Sequence, residues 1–203
     1  MNFLFEGLNE AQKKVALHKE GPLLVLAGAG SGKTKSISHR IAYLVGQGVP
    51  PEKILAITFT NKAANEMKER ILGLLEKLPN AENLATHPFI STFHTLGVYI
   101  LRKSGDKIGV SKNFSILDKD DSLDAVKTAI KELNIDPKQF QPSKIQSIIS
   151  REKGDLMDSE TYTNEAGSDF YPSVIAKIWN KYEEQLKTQK SLDFDDLVSK
   201  VVF

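Results

Sequence analysis

The sequence predicts an α/β fold in which a parallel sheet is accompanied by an all-helical inserted subdomain. Two observations carry this prediction. Short apolar runs alternate with amphipathic helical patterns through residue 113, the order typical of right-handed βαβ units. From residue 114 to about residue 190 the apolar spacing is helical, and the first pattern resumes near Ser191. We therefore expect a core in residues 1–113, a helical insert in 114–190 and a return to the core in 191–203.

Each predicted element is an apolar run or stripe bounded by glycine, proline or a capping residue. Leu23–Ala27 is expected to be a buried strand, and two further strands are predicted at 54–59 and 89–92. Longer helices are predicted where apolar residues recur at helical spacing: 33–45, 61–78, 95–103, 118–133, 143–152 and 172–190. A polar stretch that contains Gly154 and Gly167 separates the last two helices.

Composition excludes several classes of protein. The 203 residues are 40% hydrophobic and 26% charged, an ordinary globular mixture, and contain no cysteine, which excludes a disulfide scaffold or a cysteine zinc site. No apolar run is long enough to cross a membrane, and we expect a cytoplasmic protein. The net charge is only +1, so a nucleic acid would have to be bound by local groups of basic residues.

A glycine-rich turn between the first predicted strand and the next helix is typical of a phosphate-binding loop. Its eight residues match the P-loop pattern except that alanine replaces the first glycine: Ala27, Gly28, Ala29, Gly30, Ser31, Gly32, Lys33 and Thr34. The glycines permit positive φ angles that turn N–H groups inward, and the helix N-terminus adds further donors. Lys33 can reach the β- and γ-phosphates of ATP, and Thr34 can offer its hydroxyl to Mg²⁺.

Gln12 precedes the loop on a short predicted helix. Its amide offers one donor and one acceptor, which match the N7 and N6 edge of adenine. A solvated helical glutamine is the alternative interpretation.

Polar and aromatic residues follow the second and third predicted strands. They are Thr58, Phe59, Thr60, Asn61 and Lys62 after one strand, and Thr92, Phe93 and His94 at the end of the other. The carboxyl ends of parallel strands face the ligand crevice, where hydroxyls, amides and lysine bind phosphodiester oxygens and an exposed phenylalanine stacks on an unpaired base. The pattern therefore indicates single-stranded nucleic acid. The alternatives are core burial of Phe59 and Phe93 and a purely structural His94.

Five segments in this order resemble the superfamily 1 DNA helicases of the UvrD/Rep/PcrA type: "LNEAQ", "AGAGSGKT", "ITFTNKAANEMKERI", "STFHTLG" and "LDFDDL". The resemblance implies an incomplete RecA-like ATPase core with a helical insert, acting in DNA repair or replication. It implies that Gln12 reads adenine and that Lys33 and Thr34 serve catalysis with ATP and Mg²⁺. It also implies that 58–62, 92–94 and Phe194 contact single-stranded DNA. Lys35 stands where the family often has an arginine against adenine, and lysine lacks the planar guanidinium that stacks on a base.

A nucleotide hydrolase of this kind also needs an acid for Mg²⁺ and an arginine from a second domain. Asp118 is either that acid or a helix cap, and its position at the start of a helical pattern favours the cap. Asp193, Asp195 and Asp196 follow no predicted strand, so we expect them to begin a helix. In the resembled family the acidic motif comes after "LDFDDL". We therefore expect the acid, the arginine and the remaining helicase domains beyond Phe203.

These observations lead us to interpret the chain as the N-terminal ATP-binding part of an ATP-dependent DNA helicase that acts on single-stranded DNA and duplex junctions. Two alternatives remain open. One is the P-loop ATPase of a nuclease-coupled repair complex, and the other is a nucleotide-gated DNA-binding module without turnover.

Overall fold

A computed structural model describes residues 2–79 and 81–202 of the chain. The residues divide into two units, Met1–Phe93 and His94–Phe203. The division falls before residue 113 because Leu101 packs with Leu192 and Leu197, which come from the end of the chain. The sequence-based boundaries at residues 113 and 190 stay a prediction, since compactness alone does not define an insert.

The first unit combines two short parallel strands with three helices in the part of the chain that the structure describes. Strand β1 (Leu55–Thr58) pairs in parallel with β2 (Phe89–Thr92), and Thr58 lies opposite Thr92. The helices are α1 (Glu10–Leu17), α2 (Lys33–Gly46) and α3 (Asn61–Leu75). Short 3-10 turns lie at Asn2–Phe5, Pro51–Lys53 and Ala81–Asn83. The buried faces of α2 and α3 form one apolar core with Leu4 and Ala56.

The predicted buried strand at Leu23–Ala27 is wrong for this chain. These residues have no regular secondary structure, pair with no strand among the described residues, and are all exposed. Leu24 and Leu26 are 81% and 86% exposed, whereas Leu23 and Val25 are 42% and 37% exposed. The alternation has the two-residue period of a strand. The exposure of the segment therefore alternates as it would along a strand, but no neighbouring element among the described residues buries it.

The second unit is mostly helical. Its helices are α4 (Phe93–Ser104), α5 (Lys119–Glu132), α6 (Pro142–Gly154), α7 (Ser159–Ala166), α8 (Phe170–Gln189) and α9 (Asp196–Val202). A 3-10 turn at Gly105–Ile108 follows α4. Two-residue strands β3 (Ser115–Ile116) and β4 (Ser191–Leu192) pair in parallel. The main core lies between α5, α6 and α8 and is centred on Trp179, which is fully buried.

Most predicted elements are confirmed, with differences of a few residues at their ends. Asp118 caps α5, because its carboxylate accepts hydrogen bonds from the N–H groups of Asp120 and Asp121. Two expectations are wrong. The polar stretch before α8 contains α7, which Asp158 caps, and β4 does precede the acidic turn at 193–196. None of the helices within 2–79 and 81–202 has both the length and the hydropathy needed to cross a membrane.

Candidate nucleotide and DNA sites

The glycine-rich loop of the first unit leads directly into α2. Gly30 and Gly32 have φ angles of 75° and 82°, a left-handed conformation that glycine adopts without steric cost. Gly28 does not share this conformation, although a glycine there would permit it. Because α2 begins at Lys33, its unpaired N–H groups and the positive end of its dipole face the loop. The loop and the helix together form an anion-binding geometry.

The side chain of Lys33 folds back onto the loop. Its Nζ donates to the carbonyl oxygens of Ala27 and Gly28, at 2.8 and 2.6 Å. Ser31 closes the same turn through its hydroxyl, which donates to Gly28 O at 2.7 Å. Thr34 is half-buried in the first turn of α2. A cation and a hydroxyl therefore lie beside the loop, and their contacts with phosphate oxygens and Mg²⁺ stay predictions.

Gln12 contacts this loop directly. Its Nε2 donates to Ser31 O at 2.9 Å, and its Oε1 accepts from the backbone N–H of Asn9 at 3.0 Å. Asn9 Oδ1 in turn accepts from the Gln12 backbone N–H at 2.9 Å, and the two bonds form a capping box at the start of α1. A Cβ atom on Gly32 would lie 2.6 Å from Gln12 Nε2. The glutamine is therefore a fixed neighbour of the loop, and its reading of adenine stays a prediction.

Basic side chains of α2 bind backbone carbonyls of the N-terminal segment. Lys35 Nζ donates to Gly7 O at 2.6 Å, His39 Nδ1 donates to Leu4 O, and Arg40 donates to Val15 O at 3.2 Å and also to His18 O. Burial lowers the pKa of His39, although its bond with Leu4 opposes the shift. These bonds fix the segment that carries Gln12 against the helix that follows the loop. In this arrangement the ammonium of Lys35 binds a carbonyl of the protein, and its contact with a nucleotide stays a prediction.

The ends of β1 and β2 bring together the predicted DNA-contacting residues of the first unit, 58–62 and 92–93. Because Thr58 pairs with Thr92, the residues that follow them leave the sheet at the same edge. Phe59 is 87% exposed and Phe93 is 46% exposed, and their ring centroids lie 5.5 Å apart. Core burial of these two rings is therefore wrong. An exposed aromatic pair at a strand edge is suited to stacking on bases.

The polar members of these segments divide into exposed and structural residues. Asn61 and Lys62 are exposed in the first turn of α3. The Thr60 hydroxyl accepts from Ala63 N at 3.1 Å and so caps α3. Thr92 is only 6% exposed. The structure leaves their roles in DNA binding as predictions, and Thr60, Asn61 and Lys62 are the exposed polar members.

A second aromatic pair lies in the second unit. His94, in the first turn of α4, and Phe194, just before α9, have ring centroids 5.5 Å apart in an edge-on arrangement. His94 is exposed, and Phe194 is 50% exposed. The two residues come from different predicted motifs, which the fold brings into contact.

Sequence reasoning missed a buried ionic cluster on either side of Phe194. Lys153 Nζ of α6 lies 2.7 Å from Asp193 Oδ2, 2.9 Å from Asp196 Oδ1 and 2.7 Å from Glu183 Oε1. Tyr182 donates its hydroxyl to Asp193 Oδ2 at 2.8 Å. Lys153, Asp193 and Asp196 are each no more than 5% exposed. The only signal in the sequence was the unusual density of acids in "LDFDDL".

The titration of these groups follows from burial and mutual charge. Burial alone would lower the pKa of Lys153, but Asp196, Asp193 and Glu183 raise it well above its ordinary value. Burial would raise the pKa of Asp193, but Lys153 lowers it. Burial raises the pKa of Asp196 to about 6, although Lys153 opposes the shift. Lys153 is therefore a fixed cation, and Asp196 is the acid of the cluster that titrates near neutral pH.

The chain belongs to the UvrD/REP helicase N-terminal domain family, whose sequence profile matches residues 8–202. It is 47% identical over 198 residues to the ATP-dependent DNA helicase PcrA of Bacillus subtilis (strain 168), a match that covers 97% of this chain and 26% of that protein. It is 45% identical over 196 residues to the protein of the same name from Leuconostoc citreum, covering 96% of this chain and 25% of the relative. The chain thus spans about a quarter of the length of these relatives.

The acid that would bind Mg²⁺ together with Thr34 is not evident in the described ranges. Among residues 2–79 and 81–202, no group of three or more histidine, aspartate or glutamate side chains is placed to hold a metal ion. Asp118 caps a helix, and Asp193 and Asp196 are bound to Lys153. Three of the four acids considered from the sequence, Asp118, Asp193 and Asp196, therefore have structural partners.

Proposed function

We propose that this chain is the N-terminal ATP-binding part of an ATP-dependent DNA helicase that translocates on single-stranded DNA and unwinds duplex junctions, in DNA repair or replication. The observation that carries the proposal is the loop geometry. Gly30 and Gly32 turn the backbone at the N-terminus of α2, where Lys33 and Thr34 follow. Membership of the helicase family supports the same reading. The relatives also support a longer protein, whose remaining helicase domains would follow Phe203.

The loop fits ATP and Mg²⁺ by the chemistry of its donors. Gly30, Gly32 and the first turn of α2 would supply N–H groups to the phosphates, Lys33 would hold the terminal phosphates, and Thr34 would bind Mg²⁺. Gln12 would read the adenine edge after exchanging its bond with Ser31 for bonds to the base. Bound Mg²⁺ would supply charge neutralisation at the phosphates. A RecA-like core, completed by strands beside Leu23–Ala27, is part of this proposal.

Single-stranded DNA is the proposed polymer substrate. Exposed Phe59 and Phe93 offer faces for base stacking, and Asn61 and Lys62 offer donors to phosphates. His94 and Phe194 form a second exposed pair in the other unit. Aromatic stacking tolerates any base, which suits a protein that moves along DNA. We also propose that the protein is cytoplasmic, because its proposed substrate is DNA.

The decisive experiment compares Lys33→Ala with the unchanged full-length protein. We expect DNA-stimulated ATP hydrolysis to be abolished, because the variant loses the cation that holds the terminal phosphates. Lys62→Ala is the matched control: it removes an exposed lysine at the proposed DNA site and should weaken DNA binding without abolishing unstimulated hydrolysis. Hydrolysis by Lys33→Ala at the unchanged rate would refute the assignment.

The two alternatives are separated by further measurements on the same protein. A nuclease-coupled ATPase would cut DNA, whereas the proposed helicase releases strands of unchanged length. A nucleotide-gated module would change its DNA affinity with ATP but release no phosphate. For the isolated 203 residues we expect weak nucleotide binding and negligible turnover.

A further inference from the structure

The turn that presents Phe194 is closed by the acids on either side of it. Asp193 Oδ1 accepts from Asp196 N at 2.8 Å, and Asp196 Oδ2 accepts from Asp193 N at 3.2 Å. Each carboxylate thus uses one oxygen to close the turn. The turn exposes Phe194, whereas Asp193 and Asp196 point inward at 5% and 1% exposure.

The second oxygen of each carboxylate binds Lys153. Asp193 Oδ2 and Asp196 Oδ1 receive donors from its ammonium at 2.7 and 2.9 Å. Helix α8 adds Tyr182, which also donates to Asp193 Oδ2, and Glu183, which contacts the same ammonium. Lys153 therefore offsets the negative charge of the turn, together with Lys200, whose Nζ lies 3.4 Å from Asp196 Oδ1, and it ties the turn to α6 and α8. Without Lys153, only the partly exposed Lys200 would face the two buried carboxylates.

An independent contact holds the other side of the aromatic pair. A Cβ atom on Gly97 of α4 would lie only 1.8 Å from the carbonyl oxygen of Leu197 in α9. The backbones of the helices that carry His94 and follow Phe194 thus touch. With one helix fixed at Gly97 and the turn fixed by Lys153, the rings of His94 and Phe194 are held 5.5 Å apart.

We propose that Lys153 is a positioning residue for DNA binding: by bonding Asp193 and Asp196 at once, it sets the turn that presents Phe194 beside His94. The inference rests on the proposed function, in which Phe194 contacts single-stranded DNA. It assigns a role in strand binding to a buried lysine that has no access to DNA itself. It also means that a rearrangement of α6 or α8 changes how Phe194 contacts single-stranded DNA.

Two measurements test the proposal in the 203-residue chain. Backbone hydrogen exchange in 191–197 reports the turn, and fluorescence anisotropy of a labelled oligothymidine reports strand binding. In Lys153→Met, exchange in 191–197 should increase while β1 stays protected, and the Kd for the oligonucleotide should rise about fivefold or more, as it should in Phe194→Ala. Lys144→Met is the matched control, because it changes an exposed lysine on the same helix. It should leave both readouts unchanged.

A double variant separates positioning from general damage. If Lys153 acts through Phe194, adding Lys153→Met to Phe194→Ala should weaken binding no further. Lys153→Arg should restore much of the affinity, because it retains the cation. Emission of Trp179, whose indole N–H donates to Glu183 Oε1 at 3.1 Å, reports whether the second unit remains folded. If Lys153→Met unfolds that unit, Tyr182→Phe is tested in its place, since this change removes the hydroxyl that donates to Asp193 and keeps the ring.

The outcomes distinguish the inference from the function on which it rests. The role of Lys153 would be overturned if the losses of oligonucleotide affinity in Lys153→Met and Phe194→Ala add fully in the double variant. It would also be overturned if hydrogen exchange in 191–197 is unchanged in Lys153→Met, even if Phe194→Ala weakens binding. If the unchanged chain does not bind the oligonucleotide, or Phe194→Ala binds as tightly, the proposed DNA contact fails. Hydrogen exchange then still decides whether Lys153 sets the turn.

Discussion

Gly97 and Leu197 meet backbone to backbone, because the carbonyl oxygen of Leu197 occupies the position that a Cβ atom on Gly97 would need. Only glycine permits this crossing of α4 and α9. The crossing packs beside Leu101, Phe114 and Leu192, the small apolar cluster of the second unit.

Gly97→Ala should destabilise the second unit by about 1–3 kcal/mol, because an added methyl group forces α4 and α9 apart. Urea unfolding followed by the fluorescence of Trp179, the single tryptophan of the chain, measures this unit directly. Gly154→Ala is the matched control, since a Cβ atom there meets open space at the end of α6. It should be neutral or slightly stabilising. Equal unfolding curves for Gly97→Ala and the unchanged chain would contradict the contact.

Asp196 should make the second unit more stable as the pH falls from about 7.5 to about 5. Its pKa in the fold is about 6, above the ordinary value of 3.8, so its contribution is present below about pH 4 and lost as the pH rises through 6. Asp193 has a lowered pKa, so its contribution is lost only at lower pH. Relative to Asp196→Asn, the unchanged chain should gain about 1 kcal/mol of unfolding free energy over this range. Parallel stability curves for the two proteins, followed by Trp179 fluorescence, would disprove the assignment.

Gly32→Ala should weaken nucleotide binding about tenfold, because alanine at a φ angle of 82° is strained and its methyl group would press on Gln12. Titration with a fluorescent ATP analogue measures the affinity. Gly73→Ala serves as the control, since this glycine of α3 has open space around it and an ordinary φ angle. Unchanged affinity in Gly32→Ala would show that the left-handed loop conformation is not needed for binding.

Leu26→Ser should reduce self-association of the isolated chain while changing its unfolding free energy by less than about 0.5 kcal/mol. Leu26 is 86% exposed in an apolar segment that pairs with no strand among the described residues, and an exposed apolar segment promotes aggregation. The same substitution at Leu75, which is 2% exposed in the core of the first unit, should cost about 2–5 kcal/mol. Sedimentation measures association, and circular dichroism measures unfolding. A Leu26→Ser variant as unstable as Leu75→Ser would mean that the segment is packed in solution.

The sequence predicted features that depend on neighbouring residues in the chain. Gly30 and Gly32 mark the loop because few other residues adopt its φ angles, and Asp118 marks the start of α5 because a carboxylate caps a helix locally. Helix α7 was missed because Ala166 is its only buried residue within the described residues, so no apolar stripe reveals it. Gly28 carried no signal that its φ angle differs from those of the other loop glycines.

Features that depend on distant partners could not be predicted in the same way. The apolar run at Leu23–Ala27 favours burial, but it does not indicate which strands would pack beside it and bury it. Lys153 lies 40 and 43 residues before Asp193 and Asp196. A lysine in a polar helix is solvated in most proteins, so nothing local distinguishes this one from Lys144.

The bonds of Lys153 also constrain how this protein can evolve. Loss of Lys153 alone removes the buried counter-charge shared by both aspartates and leaves only Lys200, 3.4 Å from Asp196 Oδ1, and loss of one aspartate alone opens the turn at Phe194. Each single replacement is therefore costly, whereas a combined exchange for apolar residues of similar volume is not. We expect positions 153, 193 and 196 to vary together among homologues or to remain unchanged. Lineages that replaced the cluster would have had to cross an intermediate of low fitness.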